Sequence, residues 1–412
     1  MSETPPTKEL APIHDFGAKL RQPALIQRLK EYIRWQADLR ADPGTAAPAP
    51  DHGPVSINLD LTTSCNYACD HCVDMDILNT GIRHADGDLF GSLELMYQKG
   101  LRSVILIGGG EPTVDPRFAD VVRFLKERDV HVAVVSNGSG MRHVAKVAHL
   151  FGPTDWVRLS LDSGSDPTFQ AMHKPKKSIT LEGICEEVKQ VKEAYPNLRM
   201  GFSFIVTWKG AFTNDSLIIE NLHEIVAATK LARDHLFDYI SIKPFLVRSP
   251  ENNAEIVGVD EGESYFDQTI ARIRTEVDQA KELQTEHFEV VESTNLRVLE
   301  NRTYKEYTQQ PRNCHMTFFR QVYSPLGIYN CPVYRHVPQA KLGEKDVYAT
   351  GEGFAGLRAT LGEQVSGFDA SHECREVTCL YNAANWYLED LIEHPEKLET
   401  LDASENREDY FL

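Results

Sequence analysis

Three of the eight cysteines in this chain fall within one short segment, Thr62-Thr63-Ser64-Cys65-Asn66-Tyr67-Ala68-Cys69-Asp70-His71-Cys72, at C-x3-C-x2-C spacing. Three thiolates on one loop can hold three irons of a 4Fe–4S cluster and leave the fourth iron without a protein ligand. An open iron is what a site needs if a small molecule is to bind the cluster directly. Zinc is the competing reading. A structural zinc takes four ligands, usually from C-x2-C or C-x2-H pairs. Only His71 stands near enough to complete such a set, and ligation from between two neighbouring ligands is strained.

A second set lies far downstream: Cys314, then Gly327-Ile328-Tyr329-Asn330-Cys331-Pro332, then Cys374-Arg375-Glu376-Val377-Thr378-Cys379. Four such cysteines in a thiol-reducing compartment favour metal or cluster binding over disulfides, with structural zinc or inert thiols as alternatives. Cys185 falls in a helical pattern over Leu181–Tyr195 and reads as a small core residue.

The elements that must carry these residues alternate in type. Strands are expected at Ser56–Leu61, Ser103–Ile107, Val130–Val135, Trp156–Leu161, Met200–Val206 and Tyr239–Lys243. Between them, Leu89, Phe90, Leu93, Met96 and Tyr97 form a helical stripe ended by Gly100. Asp115 and Pro116 offer an N-cap and first-turn proline ahead of Phe118, Val121, Val122 and Leu125. Six β-then-α units predict an α/β fold, a partial (β/α)6 TIM-like barrel, with its chemistry on loops after the carboxyl ends of the strands. The cysteine loop follows the first strand. Gly109-Gly110-Glu111-Pro112 follows the second, where glycines let backbone approach a ligand and the proline fixes the turn. Ser136-Asn137-Gly138 ends the third strand and Ser160-Leu161-Asp162 the fourth.

Around the barrel, 56–245, residues 1–55 read as an N-terminal helix (18–40) and a Pro/Ala/Gly linker (Ala41–Pro54). Residues 246–412 read as a smaller C-terminal domain, helical over Tyr265–Leu283, with the second cysteine set in 311–385 and an acidic, frayed tail over His394–Leu412. Thr350-Gly351-Glu352-Gly353-Phe354-Ala355-Gly356 satisfies G-x-G-x-x-G, but it lacks the buried strand that a dinucleotide fingerprint must follow. Lys243 and Arg248, at or beyond the last barrel strand, are candidates for a substrate base by position alone; a solvated charge is the plainer reading of each.

Against 43 Lys and Arg stand 61 Asp and Glu, a net charge of −18. That balance argues against gripping nucleic-acid phosphates and against a polybasic membrane-surface mode. No apolar run approaches the roughly 18 residues of a spanning helix. The start, Met-Ser-Glu-Thr-Pro-Pro, has neither the basic residues nor the apolar stretch of a signal peptide. A cytoplasmic protein with no nucleic-acid or membrane partner is expected.

The cysteine loop and the Gly-Gly-Glu-Pro turn, in this order and on one expected face, resemble the radical S-adenosylmethionine (radical SAM) superfamily over residues 56 to about 245. The resemblance implies that Cys65, Cys69 and Cys72 hold a 4Fe–4S cluster and that the backbone of Gly109, Gly110, Glu111 and Pro112 holds the methionine amine of S-adenosylmethionine (SAM). It places Ser136, Asn137, Ser160 and Asp162 as polar contacts to that cofactor, and His71 near its adenine. The downstream cysteines are similar to the SPASM/twitch extensions of these enzymes. A full SPASM extension carries two auxiliary clusters and more cysteines than the four here. The shorter twitch form fits, with one second 4Fe–4S cluster on Cys314, Cys331, Cys374 and Cys379, although the C-x4-C pair departs from the usual spacing.

The family implies an oxidoreductase or related enzyme. It would cleave SAM reductively to a 5′-deoxyadenosyl radical, fed by an external one-electron reductant such as flavodoxin or ferredoxin, and abstract a hydrogen atom from a substrate C–H bond. The segment ahead of the barrel is too short for a leader-recognition domain. The expected substrate is therefore a small polar metabolite of aminocyclitol, sugar or nucleoside type, oxidised or rearranged. A maturase of a ribosomal peptide and a non-catalytic iron–sulfur or zinc protein are the alternatives.

Overall fold

Short apolar runs separated by amphipathic stripes fold as strands covered by helices, because each must bury its apolar side against the other. A computed structural model describes residues 14–42, 47–213, 216–257 and 266–412. The Met-Ser-Glu-Thr-Pro-Pro start, part of the linker and Tyr265 lie outside the described residues. Strands β1 (Ser56–Leu59), β2 (Ser103–Leu106), β3 (His131–Ser136), β4 (Trp156–Ser160), β5 (Arg199–Val206) and β6 (Tyr239–Pro244) fall where six strands are expected, with ends shifted by a residue or two.

Four further strands join the same sheet: β7 (Glu289–Glu292), β8 (Arg320–Ser324), β9 (Gly327–Tyr329) and β10 (Lys341–Gly343). The order is β7-β6-β5-β4-β3-β2-β1-β8-β9-β10. Every pair from β7 to β8 is parallel, and β9 and β10 add antiparallel. The barrel is therefore partial and open. β1 takes β8 as its second neighbour, so the sheet runs on past residue 245 into the segment that carries the second cysteine set. β7 is a seventh parallel strand that the sequence does not announce: Val290 and Val291 between two glutamates are too few to show a period.

Alternate residues along β1–β6 point to opposite faces. One face is wholly apolar and buried: Ile57, Leu59, Val104, Leu106, Val132, Val134, Val157, Leu159, Met200, Phe202, Phe204, Ile240 and Ile242. The covering helices include Asp86–Gln98, Phe118–Lys126 and Leu181–Ala194, the last burying Cys185 in the core as expected. The other face lines the barrel interior and is rich in polar residues.

Several local expectations need correction. The helix over 18–40 is two, Phe16–Leu20 and Ile26–Ala41, parted by a turn that contains Pro23. The described end of the linker, 47–54, is strapped down, its Ala49 fully buried with N–H donated to Arg358 O at 3.1 Å. Asp115 does not cap the helix directly: the helix begins at Phe118, and Asp115 Oδ1 accepts the Arg117 N–H at 2.9 Å one turn earlier. The G-x-G-x-x-G segment opens the helix Gly351–Gly367, capped by Thr350 and preceded in the sheet by antiparallel β10.

The acidic tail is not frayed. Tyr410 O accepts from Ser103 Oγ at 2.6 Å and Phe411 O accepts from Lys19 Nζ at 2.6 Å. Tyr410 and Phe411 lie against the rings of His131 and Trp156, the first residues of β3 and β4. The tail thus closes the amino-terminal end of the barrel, opposite the cysteine loop.

Candidate functional site

The loop after β1 and the turn after β2 are laced together by backbone. Glu111 N–H donates to Ser64 O at 2.9 Å, and a Cβ on Gly110 would collide with that same carbonyl, so only glycine lets the two segments lie this close. Gly109, at φ 66°, donates its N–H to Asp74 Oδ2 at 3.3 Å. The loop after β3 joins them: Asn137 Nδ2 donates to Asn66 Oδ1 at 2.9 Å, beside Cys65.

Glu111 is buried and its carboxylate turns inward. It accepts from Thr113 Oγ1 at 2.5 Å, Ser136 Oγ at 2.8 Å and Asn137 N at 2.7 Å. Burial raises its pKa, against the pull of those donors. Glu111 and Ser136 therefore act here as the frame of the turn, leaving backbone and Asn137 to face the mouth. Pro112 opens the short 3-10 turn that follows.

At the end of β4, Asp162 is fully buried in a left-handed conformation (φ 50°). Its Oδ1 accepts from Ile205 N at 2.8 Å, and Oδ2 stands 3.4 Å from His71 Nε2 and 3.5 Å from His173 Nε2. His71 is thus not a solvent-exposed loop residue; its side chain is 7% exposed and packs edge-on against His173 at 5.1 Å. Burial opposes the charge on Asp162, and the two histidines still hold its pKa below the usual range. Ser160, half-buried, lies one pleat earlier on the interior face.

Residues that sequence spacing does not pick out complete the mouth. His173, from the helix after β4, donates Nε2–H to Leu161 O at 3.0 Å and so turns its Nδ1 lone pair to Cys69 Sγ at 3.2 Å. Burial lowers its pKa to about 4. Asp74, two residues beyond Cys72, receives Arg335 Nη1 at 2.7 Å, and Arg335 also faces Asp60 at 3.8 Å. His336 Nε2 lies 3.3 Å from Asp60 Oδ2, and Arg248 bridges Asp74 and Glu255 at 3.6 and 3.7 Å. Arg248 is accordingly part of a buried ion network rather than a solvated charge. Asp74's position beside the cysteine loop was the one available signal; the remaining partners are far apart in the chain.

The second cysteines come from three separate segments and converge. Cys374 shares one electrostatic neighbourhood with Cys314, Cys331 and Cys379. They border a small apolar cluster of Ala254, Tyr334, Val337, Phe368 and Val377. None of the eight cysteines forms a disulfide.

The donor sets can be tested against metal geometry. A tetrahedral zinc with Zn–S near 2.3 Å holds its sulfurs about 3.8 Å apart. Among the described residues, neither cysteine set has three sulfurs within 4.8 Å of one another; the one such donor group is Cys69, His71 and His173. As placed, neither set closes on a single ion through its sulfurs alone. Burial pushes the thiols up, Cys72 and Cys331 to about 12. Buried thiolates are unfavourable without a compensating cation, and metal coordination provides one.

Comparison with known proteins agrees with this geometry. Residues 59–216 match the Radical SAM superfamily. An S-adenosylmethionine-dependent nucleotide dehydratase of a Thermoplasmatales archaeon is 32% identical over 108 residues, which is 26% of this chain and 38% of that protein. Mycofactocin maturase MftC of Mycobacterium tuberculosis is 33% identical over 118 residues, 27% of this chain and 28% of that one. Both matches span well under two thirds of the relative's own length. Streptococcus suis SuiB, solved with the precursor peptide SuiA bound, superposes with a TM-score of 0.52 at 14% identity, over 78% of this chain and 69% of SuiB. That likeness concerns the fold. No helix among the described residues is long and apolar enough to cross a membrane. With the cysteine loop and the Gly-Gly-Glu-Pro turn both inside the matched segment, residues 59–216 form a radical SAM domain.

Proposed function

We propose that this chain is a radical SAM enzyme with two cluster sites that oxidises or rearranges a small polar metabolite. Cys65, Cys69 and Cys72 would hold the first 4Fe–4S cluster; Cys314, Cys331, Cys374 and Cys379 would hold a second. The observation that carries the reading is the lacing of three loops at one end of the barrel: Glu111 N–H to Ser64 O, Gly109 N–H to Asp74, and Asn137 to Asn66. When bound and reduced by an external donor such as flavodoxin or ferredoxin, the first cluster with SAM supplies a 5′-deoxyadenosyl radical that takes a hydrogen atom from a substrate C–H bond.

The protein's own part is binding, orientation and exclusion of water. The Gly109–Gly110 backbone, relieved of side chains, offers the surface against which a methionine amine can lie. Asn137 offers a polar contact. Asp162, held by Ile205 N–H, fixes His71 and His173 beside Cys69. The buried network of Asp60, Asp74, Arg335 and His336 locks the cysteine loop to the segment after Cys331, so the two cysteine sets keep a fixed separation.

A second reading, a maturase acting on a ribosomal peptide, is favoured by the 33% match to mycofactocin maturase. The test of the leading reading is anaerobic reconstitution with iron and sulfide, followed by SAM and dithionite. Formation of 5′-deoxyadenosine is the expected result. A purified chain that holds zinc without iron, or that leaves SAM intact, would overturn it in favour of a non-catalytic metal protein.

A further inference from the structure

Across β4–β6 the interior face carries two cations, Arg158 and Lys243, that have no carboxylate partner among the described residues. Across β4, β5 and β6 the register sets Arg158 beside Gly201 and Tyr239, and Ser160 beside Ser203 and Ser241. Lys243 follows one pleat beyond the serine row on β6, next to Ile205. Arg158 thus stands on one side of three serines and Lys243 on the other, each about 6.6 Å along its strand from that row. Lys243 Nζ reaches back to donate to Ser203 Oγ at 3.2 Å.

Among the described residues, no carboxylate lies within ion-pair distance of Arg158 or Lys243. Asp162, the acid that favours charge on Lys243, is itself engaged with His71, His173 and Ile205 N–H. Arg158 Nε is buried with no hydrogen-bond acceptor, and its guanidinium lies 5.1 Å from the Trp156 ring. A Cβ at Gly201 would strike the Tyr239 ring, so glycine there is what lets that ring lie across the strand beside Arg158. In a chain with 61 acidic and 43 basic residues, two inward cations left without acids are unusual. Burial and the neighbouring Arg158 both disfavour charge on Lys243. An anion seated between the two would offset both effects.

We infer that Arg158, Lys243 and the serine row Ser160, Ser203 and Ser241 form a binding site for an anionic group of the substrate, a carboxylate or a phosphate monoester. The inference narrows the substrate class of the proposed reaction and rests on the barrel interior being the reaction chamber. Two fixed cations and three hydroxyls can supply charge-assisted hydrogen bonds to such an oxyanion, and they would orient the neutral remainder of the substrate toward the cysteine loop.

The test is equilibrium binding of methyl phosphate and of acetate to the anaerobically prepared chain, followed by tryptophan fluorescence, because Trp156 abuts Arg158. Arg158→Met and Lys243→Met are each expected to weaken the bound anion by about tenfold or more, the loss of one charge-assisted contact. SAM affinity should stay within about twofold, and Arg158→Lys should restore part of the anion binding. Variant-sensitive binding of either probe supports the site and identifies the anion. Binding of neither probe, binding indifferent to both substitutions, or a loss confined to SAM would overturn it. Failure to cleave SAM with anion binding intact would instead count against the radical SAM reaction, so the two readings fail separately.

Discussion

The two cysteine sets are built in opposite ways. Cys65, Cys69 and Cys72 sit within one loop that leaves β1, framed by a backbone contact from the turn after β2 and side-chain contacts from the loop after β3. Cys314, Cys331, Cys374 and Cys379 are gathered from the loop before the helix Met316–Phe319, the segment after β9 and the turns after the helix Gly351–Gly367. The first set needs only a local loop and a barrel end; the second exists only when the whole C-terminal segment has folded. A three-thiol set beside a glycine turn suits direct binding of a small molecule. A four-thiol set bordered by Tyr334, Phe368 and Val377 suits a closed site.

That contrast can be broken most severely at Cys69. Cys69→Ala should abolish 5′-deoxyadenosine formation after reconstitution, measured by chromatography, while the second site keeps its iron. Cys331→Ala should do the reverse, losing roughly four irons per chain yet retaining SAM cleavage within a few-fold, since a cubane carries four. Equal loss of both iron and cleavage in the two variants would mean that the sets are not independent.

The joint between the sites is the next largest effect. Arg335 is 7% exposed and touches Asp74 and Asp60, which are 8% and 0% exposed. Arg335→Met leaves buried carboxylates without their main cation, at a cost of about 3–5 kcal/mol. Thermal unfolding of the apo-protein should show that loss. A change under 1 kcal/mol would mean that the network adds nothing to the joint.

The smallest effect serves as a control that touches neither set. Burial first, and Glu292 second, raise the pKa of Glu300 from 4.5 to about 7. A raised carboxyl favours the folded state when protonated, so its contribution is fully present below pH 4.5 and is lost as pH rises through about 7. Glu300→Gln should therefore stabilise the protein by about 1–3 kcal/mol at pH 8 and by little at pH 4.5, with iron content unchanged. No difference between the two pH values would contradict the assignment.

Much of the first site was legible because it is local. The C-x3-C-x2-C loop, Gly109–Pro112, Ser136–Asn137 and Ser160–Asp162 each follow a strand whose apolar run is visible in the sequence, and the strands arrive in order. What escaped is non-local or too short to have a period. His173 reaches Cys69 from a helix about a hundred residues on. Asp74 meets Arg335 only because β8 pairs with β1. The acidic tail reads as solvated, yet its apolar end, Tyr410-Phe411-Leu412, closes the barrel floor. The polar interior face was hidden for the opposite reason: Arg158 and Lys243 interrupt apolar runs and look like surface charges until the register shows which side they face.

The central claim is that one chain carries two separate cluster sites, one of them open. Iron and acid-labile sulfide should be counted together in the anaerobically reconstituted wild-type protein. The account predicts about eight of each per chain, in two cubane clusters. About four of each would remove the second site, and zinc in place of iron would contradict the account entirely.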